Sequence, residues 1–131
     1  MIEPRRTDSP DELRGRTKEF ALRVVSLFRA LPKDEASRTL GKQVLRSGTS
    51  VAANYRAACR ARSKAEFIAK LGIAVEEADE TVFWLELLGE AGIFPKDRLH
   101  PLLAESNELL AILAASRRTA KQSITKSPNH Q

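Results

Sequence analysis

The side chains in this sequence that are best placed to do chemistry are cations spaced along one predicted helix. At about 100° of rotation per residue, they fall on the side opposite to the apolar positions of that helix. Guanidinium and ammonium groups in such a row contact phosphate oxygens, which predicts salt-sensitive, sequence-independent binding of RNA or DNA. The candidate nucleic-acid-binding residues on this helix are Arg38, Lys42, Arg46, Arg56 and Arg60, and Lys64, just beyond its end, is a further candidate.

The same charges have an alternative explanation within the fold. Residues 36–65 hold seven basic residues and no acidic one, whereas residues 66–90 hold seven acids and Lys70 as the single base. Antiparallel helices of opposite charge associate in the correct register more readily than in a wrong one. Exposed ion pairs contribute only about 0–1 kcal/mol each, so apolar packing must still supply most of the stability. The pattern therefore leaves nucleic-acid binding and helix pairing both open.

One amide lies on the predicted apolar face of the basic helix. That face is formed by Leu40, Val44, Ser47, Val51, Asn54 and Ala58. The side chain of Asn54 must find partners there or cost about 1–3 kcal/mol. Glu77 on the next helix is a candidate partner for Asn54, Arg56 or Arg60. We predict a structural polar network that includes Asn54 and Glu77, with a binding site as the alternative.

Residues typical of enzymes are present but not in catalytic patterns. His100 and His130 are isolated, and Cys59 is the only cysteine. The acids around Glu77 lack the Glu-x-x-His spacing of metal sites in helical bundles, and no glycine-rich phosphate loop occurs. The sequence therefore predicts no enzyme, no cofactor and no metal.

Capping signals and apolar periodicity predict the elements that carry these residues. Ser9-Pro10-Asp11-Glu12 predicts a capping box at the start of helix one, and Pro32 ends that helix near Leu31. Helix two is predicted from about Asp34 to Arg60. Inside it, Gly41 and Gly48 indicate either close approach of another helix or a bend at Gly48.

A second capping box, Ser63 to Glu66, predicts the start of helix three, which ends at Gly92. Helix four follows Phe94, is expected to start late or irregularly because of Pro101, and fades near Ala120. Four helices with short connections predict an all-α, antiparallel up-down-up-down four-helix bundle. We expect a flexible tail over residues 1–8, the bundle over 9–120 and a disordered tail over 121–131.

Helix three is apolar on more than one side. Its second apolar set, Ile73, Trp84 and Leu88, lies away from the main core positions. In a chain of 131 residues, an extra apolar side is most easily a subunit interface. These three residues are therefore the predicted oligomer interface.

The composition of the chain indicates what kind of partner and cellular location to expect, but not the biological process. The net charge of +5 is compatible with a polyanionic partner but does not require one. No apolar run approaches the roughly 20 residues that span a bilayer, so no membrane association is expected. With one cysteine an internal disulfide is impossible, which fits a cytoplasmic location.

Three segments together resemble a known family. Residues 46–56, 64–67 and 76–88 resemble the signature of the 23S rRNA-intervening-sequence proteins, and the likeness extends over about residues 13–120. The resemblance implies an antiparallel four-helix bundle assembled as a ring-shaped homopentamer, without catalytic residues. It also extends to the accessory variability determinants of diversity-generating retroelements, which work with a reverse transcriptase. Tyr55 and Arg56 depart from the family pattern after Asn54.

Two functions follow as hypotheses. The first is a homo-oligomeric accessory protein that binds RNA or DNA through the basic helix surface. The alternative is a structural or protein-interaction adaptor, for instance a partner of a reverse transcriptase, with no direct nucleic-acid binding.

Overall fold

The computed structural model describes residues 8–126 and the side chains of residues 8–124. Within this range the chain forms four α-helices and no strand. The helices are α1 (Pro10–Ala30), α2 (Glu35–Cys59), α3 (Lys64–Glu90) and α4 (Lys96–Lys126). Residues 1–7 and 127–131, which belong to the predicted tails, lie outside the described residues.

The first two helices begin and end where local signals predict. The Ser9 hydroxyl accepts from the Glu12 N–H, and the Glu12 carboxylate accepts from the Ser9 N–H, which completes the capping box. Leu31 caps the end of α1, next to Pro32. Asp34 caps α2 by accepting from the Ser37 N–H. These predictions are confirmed to within a residue or two.

The boundaries of α3 are also close to those predicted, with one difference. Ser63 accepts from the Glu66 N–H, but the Glu66 carboxylate accepts from the N–H of Arg62 rather than Ser63. The second capping box is therefore incomplete. At the other end, Gly92 has a φ of +73°, a conformation that glycine adopts without steric cost, and the helix stops there.

Helix α4 differs most from the prediction. It is helical from Lys96 through Pro101, so the expected late or irregular start is wrong. Because Pro101 lies close to the N-terminal end of α4, it removes few of the hydrogen bonds within that helix. The predicted end near Ala120 is wrong as well, because the helix runs to Lys126. No glycine or proline interrupts residues 121–126, and the first helix breaker is Pro128.

The helices pack as neighbours around a square. Each contacts the next one in the chain, and α4 closes the square on α1, while the diagonal pairs of these described helices make no contact. With short connections, this is the predicted antiparallel bundle. The α1–α4 interface is the smallest of the four. This ordering puts α1 and α2 side by side on one surface and α3 diagonally opposite α1.

Aliphatic side chains fill most of the core. Its fully buried members include Phe20, Val24, Val44, Val51, Leu71, Leu85, Leu88, Leu109 and Leu113. Gly41 and Gly48 are buried against α1, and α2 continues through both without a break. The close helix approach predicted for these glycines is therefore confirmed.

Candidate nucleic-acid interface

Most of the predicted cations project from α2 into solvent. Four exposed residues of α2 are Arg38, Lys42, Arg56 and Arg60, and Lys64 is exposed at the start of α3. No carboxylate among residues 8–124 forms a salt bridge with Arg38, Lys42, Arg56 or Arg60. Lys64 Nζ approaches the Ser123 hydroxyl at 3.5 Å. These cations are available to an external anion.

Arg46 has a different role. Its Nη1 donates to Glu77 Oε1 at 3.1 Å and its Nη2 donates to Glu80 Oε2 at 2.5 Å, across the α2–α3 interface. The hydrogen bond with Glu80 is the main cause that raises the pKa of Arg46 above its usual value. Helix pairing therefore accounts for Arg46, whereas it does not account for the cations without carboxylate partners. Arg46 is not part of the candidate interface.

Glu80 also binds an aromatic residue. The indole Nε1–H of Trp84 donates to Glu80 Oε2 at 3.1 Å, one helical turn away. This hydrogen bond, together with the one from Arg46, lowers the pKa of Glu80 below its usual value. Glu80 therefore stays ionised and holds Trp84 and Arg46 on the same side of α3.

A groove between α1 and α2 brings further cations to the same surface. The groove has a volume of about 790 Å³, and its lining includes Arg14, Lys18, Arg56 and Arg60. We call these four residues the groove cluster. Asp11 also lines the groove and forms a salt bridge with Arg14.

Arg14 and Lys18 are absent from the predicted site. They lie on α1, which carries both acidic and basic residues, so its composition alone does not indicate a nucleic-acid-binding surface. Their spacing of four residues places both on one face of α1, but only the packing of α1 on α2 shows that this face adjoins Arg56 and Arg60.

The predicted polar network of Asn54 and Glu77 is wrong. Asn54 is half-buried, and its Nδ2 donates to the carbonyl oxygen and to the hydroxyl of Ser50, both at 2.9 Å. An asparagine within a helix can satisfy its amide on its own preceding turn. Glu77 accepts from Arg46 instead. Tyr55, the next residue, takes the buried position predicted for Asn54.

The polar contact buried between α2 and α3 is a pair of hydroxyls. Ser47 and Thr81 are fully buried, and their oxygen atoms lie 2.8 Å apart. Thr81 Oγ1 also lies 2.7 Å from the Glu77 carbonyl oxygen, so both hydroxyls have partners. Ser47 was predicted to face the core, but its partner on α3 was not predicted.

The predicted oligomer interface is only partly exposed. Leu88 is 0% exposed within the bundle, so assigning it to a subunit interface is wrong. Ile73 is 39% exposed and Trp84 is half-buried, so both remain accessible. Phe83, which is not among the residues of the predicted interface, is 51% exposed and packs edge-on against Trp84 with ring centroids 4.9 Å apart. We call Ile73, Phe83 and Trp84 the α3 apolar patch.

A second groove lies where the start of α1 faces α4. It has a volume of about 630 Å³, and side chains that line it include Leu13, Tyr55, Phe67 and Ile112. Burial raises the pKa of Tyr55 above its usual value. His100 does not line this groove, and among the described residues no group of histidine, cysteine, aspartate and glutamate is arranged to hold a metal ion.

None of the described helices is long and apolar enough to cross a bilayer.

Comparison with known proteins places the chain in a family. The family model for 23S rRNA-intervening sequence proteins matches residues 12–115. A crystal structure from Bacteroides thetaiotaomicron, described as a protein with unknown function from the S23 ribosomal protein family, is 37% identical. The alignment covers 83% of this chain and 97% of that one, with a TM-score of 0.78. The search of curated proteins gives no match. The chain belongs to the 23S rRNA-intervening sequence protein family.

Proposed function

We propose that this protein is a non-enzymatic, homo-oligomeric accessory protein that binds nucleic acid through the outer surface of α1 and α2. The observation that carries the proposal is the contrast between Arg46 and its neighbours on α2. Arg46 is paired with Glu77 and Glu80, while Arg56 and Arg60 are exposed and have no carboxylate partner among the described residues. Cations needed only for helix pairing would be expected to meet the acids of α3, as Arg46 does.

The chemistry of this surface suits phosphate. Arginine offers a planar set of N–H donors that matches the oxygens of a phosphate group, and it stays charged at any physiological pH. In the groove cluster, four cations lie around one concavity and a single carboxylate, Asp11, opposes them. Neutralising phosphates releases counterions, so affinity should fall steeply with salt and depend little on base sequence.

The test of nucleic-acid binding is fluorescence anisotropy with labelled hairpin RNA and duplex DNA across a salt series. We expect binding at low salt, an affinity that falls steeply as salt rises, and a loss of at least about tenfold in R56E/R60E. The control, K96E/R118E, makes the same charge change at exposed positions of α4, on the other side of the bundle. Circular dichroism checks that both variants keep their helices.

Two outcomes would overturn the proposal. One is an absence of binding at low salt to every nucleic acid tested. The other is an equal loss of affinity in K96E/R118E, because the effect would then follow net charge rather than this surface.

Self-assembly is the second part of the proposal, with the homopentamer of the family resemblance as the expected form. The α3 apolar patch supports it, since Phe83 and Ile73 leave hydrophobic area in water on a monomer. A ring would repeat the basic surface several times and raise affinity through multivalency. Sedimentation velocity should show that F83E lowers the mass of the assembly, while the control L22E, at an equally exposed leucine of α1, does not.

The alternative function, an adaptor for another protein such as a reverse transcriptase, would use the same patch. If F83E leaves the assembly unchanged, the α3 apolar patch is not the interface between copies of this chain, and the result supports the adaptor hypothesis. If F83E dissociates the assembly, Phe83 no longer supports a separate partner.

A further inference from the structure

We propose that the nucleic acid bound by this protein is double-stranded and lies along α2, bridging two basic clusters at opposite ends of the α1–α2 surface. This inference rests on the proposed nucleic-acid binding and specifies its ligand. It follows from the spacing of the cations, from the uncharged region between them and from the position of the exposed aromatic residue.

The first cluster is the groove cluster. The second lies near the loop that joins α1 to α2, and we call it the loop-end cluster. It consists of Arg38 and Lys42 on α2 and Arg29 on α1, all three exposed. Arg29 follows Lys18 at helical spacing, so both lie on the same side of α1. The two clusters therefore face the same direction at opposite ends of one surface.

Between the clusters, the rows of positions that continue Lys18 on α1 and Arg56 on α2 carry no charged side chain. On α1 they include Leu22, which is 54% exposed, and on α2 they include Leu45, Thr49 and Ala53. These positions continue the rows of Lys18 and Arg56 at steps of three and four residues. Arg46, the charged residue nearest to this region on α2, points to the acids of α3.

Helix geometry sets the distance that a ligand must bridge. At 1.5 Å per residue, the pair Arg38 and Lys42 lies about 27 Å along α2 from the pair Arg56 and Arg60. Phosphates on one strand of a duplex are about 3.4 Å apart along the axis, so about eight base pairs span this distance. A duplex is stiff over lengths far greater than this, with a persistence length of about 50 nm. It can therefore contact both clusters without an ordering cost over the uncharged region.

A single strand is flexible and lacks the stiffness that lets a duplex reach both clusters. Proteins that hold single strands follow the backbone with a continuous row of cations and stack bases on exposed aromatic rings. On this surface the cations are interrupted, and the exposed aromatic residue Phe83 lies on α3, which does not contact α1. A flexible strand would have to be ordered across the uncharged region without contacts that compensate for the lost entropy.

The experiment compares ligand lengths and strandedness at one low salt concentration. The probes are labelled 6-bp and 12-bp duplexes, as DNA and as RNA, and single strands with the same number of phosphates as the 12-bp duplex. We expect the 12-bp duplex to bind at least about tenfold more tightly than the 6-bp duplex, because it reaches both clusters. The single strands should bind at least about tenfold more weakly than the 12-bp duplex.

Two matched variants test which cluster is responsible for the higher affinity of the 12-bp duplex. R38Q/K42Q should lower affinity for the 12-bp duplex to near that of the 6-bp duplex, and leave 6-bp binding almost unchanged. Its slope of log affinity against log salt should fall by about two for the 12-bp duplex, one unit per lost phosphate contact. R56Q/R60Q should weaken binding of both lengths. The control K96Q/R118Q, on α4, should change neither.

Opposite results have distinct meanings. Single strands that bind as tightly as the 12-bp duplex, or an R38Q/K42Q variant that keeps full 12-bp affinity, would overturn the bridging inference while leaving nucleic-acid binding intact. An absence of binding to all of these probes would overturn the proposed function itself.

Discussion

A Cβ atom added to Gly48 would lie 2.8 Å from Cγ2 of Val24, closer than side chains pack in folded proteins. Val24 is fully buried on α1 and branched at Cβ, so its rotamer is restricted and it cannot easily move away. Its Cγ1 and Cβ atoms would lie 3.0 Å and 3.2 Å from the added atom. The missing side chain at position 48 therefore permits the close approach of α1 and α2.

Gly48→Ala should destabilise the protein although alanine is the better helix former. Overpacking a close contact costs about 1–3 kcal/mol, which offsets a gain in helix propensity of about 1 kcal/mol. Gly15→Ala is the matched control, since a Cβ there meets nothing within 4 Å, and it should stabilise by about 0.5–1 kcal/mol. Urea denaturation at one fixed protein concentration measures both, and a stabilised Gly48→Ala would contradict the steric argument.

The hydroxyl pair between α2 and α3 should behave as a coupled unit. Thr81→Val removes the nearer partner of the buried Ser47 hydroxyl and leaves it only a 3.5 Å contact with the Val44 carbonyl oxygen, at a cost of about 1–3 kcal/mol. Adding Ser47→Ala removes this poorly satisfied hydroxyl, so the double variant should lose less stability than the sum of the two single variants. A double-mutant cycle by chemical denaturation measures this difference, and additive losses would show that the 2.8 Å contact contributes nothing specific.

Arg16 should be important for closing α1 on α4. Its Nε and Nη2 donate to the two carboxylate oxygens of Glu105 at 2.7 and 3.0 Å, and its Nη1 donates to Asp8 at 3.0 Å. The side chains of Arg16, Glu105 and Asp8 are 16%, 18% and 8% exposed, and Arg16 also forms a salt bridge with the more exposed Glu108. Arg16→Met therefore takes this cation away from three carboxylates, two of which are mostly buried. We expect a loss of about 1–3 kcal/mol, below the range for fully buried pairs.

Arg14→Met is the comparison for this test. It removes the salt bridge to the highly exposed Asp11, and exposed pairs contribute little, so the change should stay within about 0.5 kcal/mol. Thermal unfolding of both variants at equal concentration gives the difference. Equal losses would mean that the bidentate contact with Glu105 does not stabilise the α1–α4 interface.

The cap of α2 should make stability depend on acid. The N–H and hydroxyl of Ser37 donate to the Asp34 carboxylate, and these hydrogen bonds lower its pKa below the usual value of 3.8. A lowered pKa in the folded state gives stability that is complete above the unfolded pKa and is lost as pH falls through the folded one. The stability of the native protein relative to Asp34→Asn, a neutral cap, should therefore decrease below about pH 4.

Urea denaturation of both proteins between about pH 2.5 and 6 tests this dependence. A difference that stays constant over this range would show that the charge of Asp34 adds nothing to its role as a cap. Asp34→Ala serves as a second reference because it removes both the cap and the charge.

Local chemistry accounts for most of what the sequence predicted correctly. Ser9, Asp34 and Gly92 act on neighbouring backbone groups, so their effect on helix ends does not depend on the rest of the fold. Apolar periodicity and short connections were enough for the antiparallel bundle. The end of α4 was missed because residues 121–126 carry neither a stop signal nor a strong apolar pattern.

The amino-acid sequence alone is sufficient to predict the four helices, their order and the concentration of positive charge on α2. Which charges remain unpaired depends on how the helices pack, because periodicity relates residues within one helix but does not fix how far that helix is rotated against its neighbours. That rotation turned Arg46 towards Glu77 and Glu80, buried Leu88 and Tyr55, and left Phe83 in water. It also brought Arg14 and Lys18 beside Arg56 and Arg60, which made one surface from two helices.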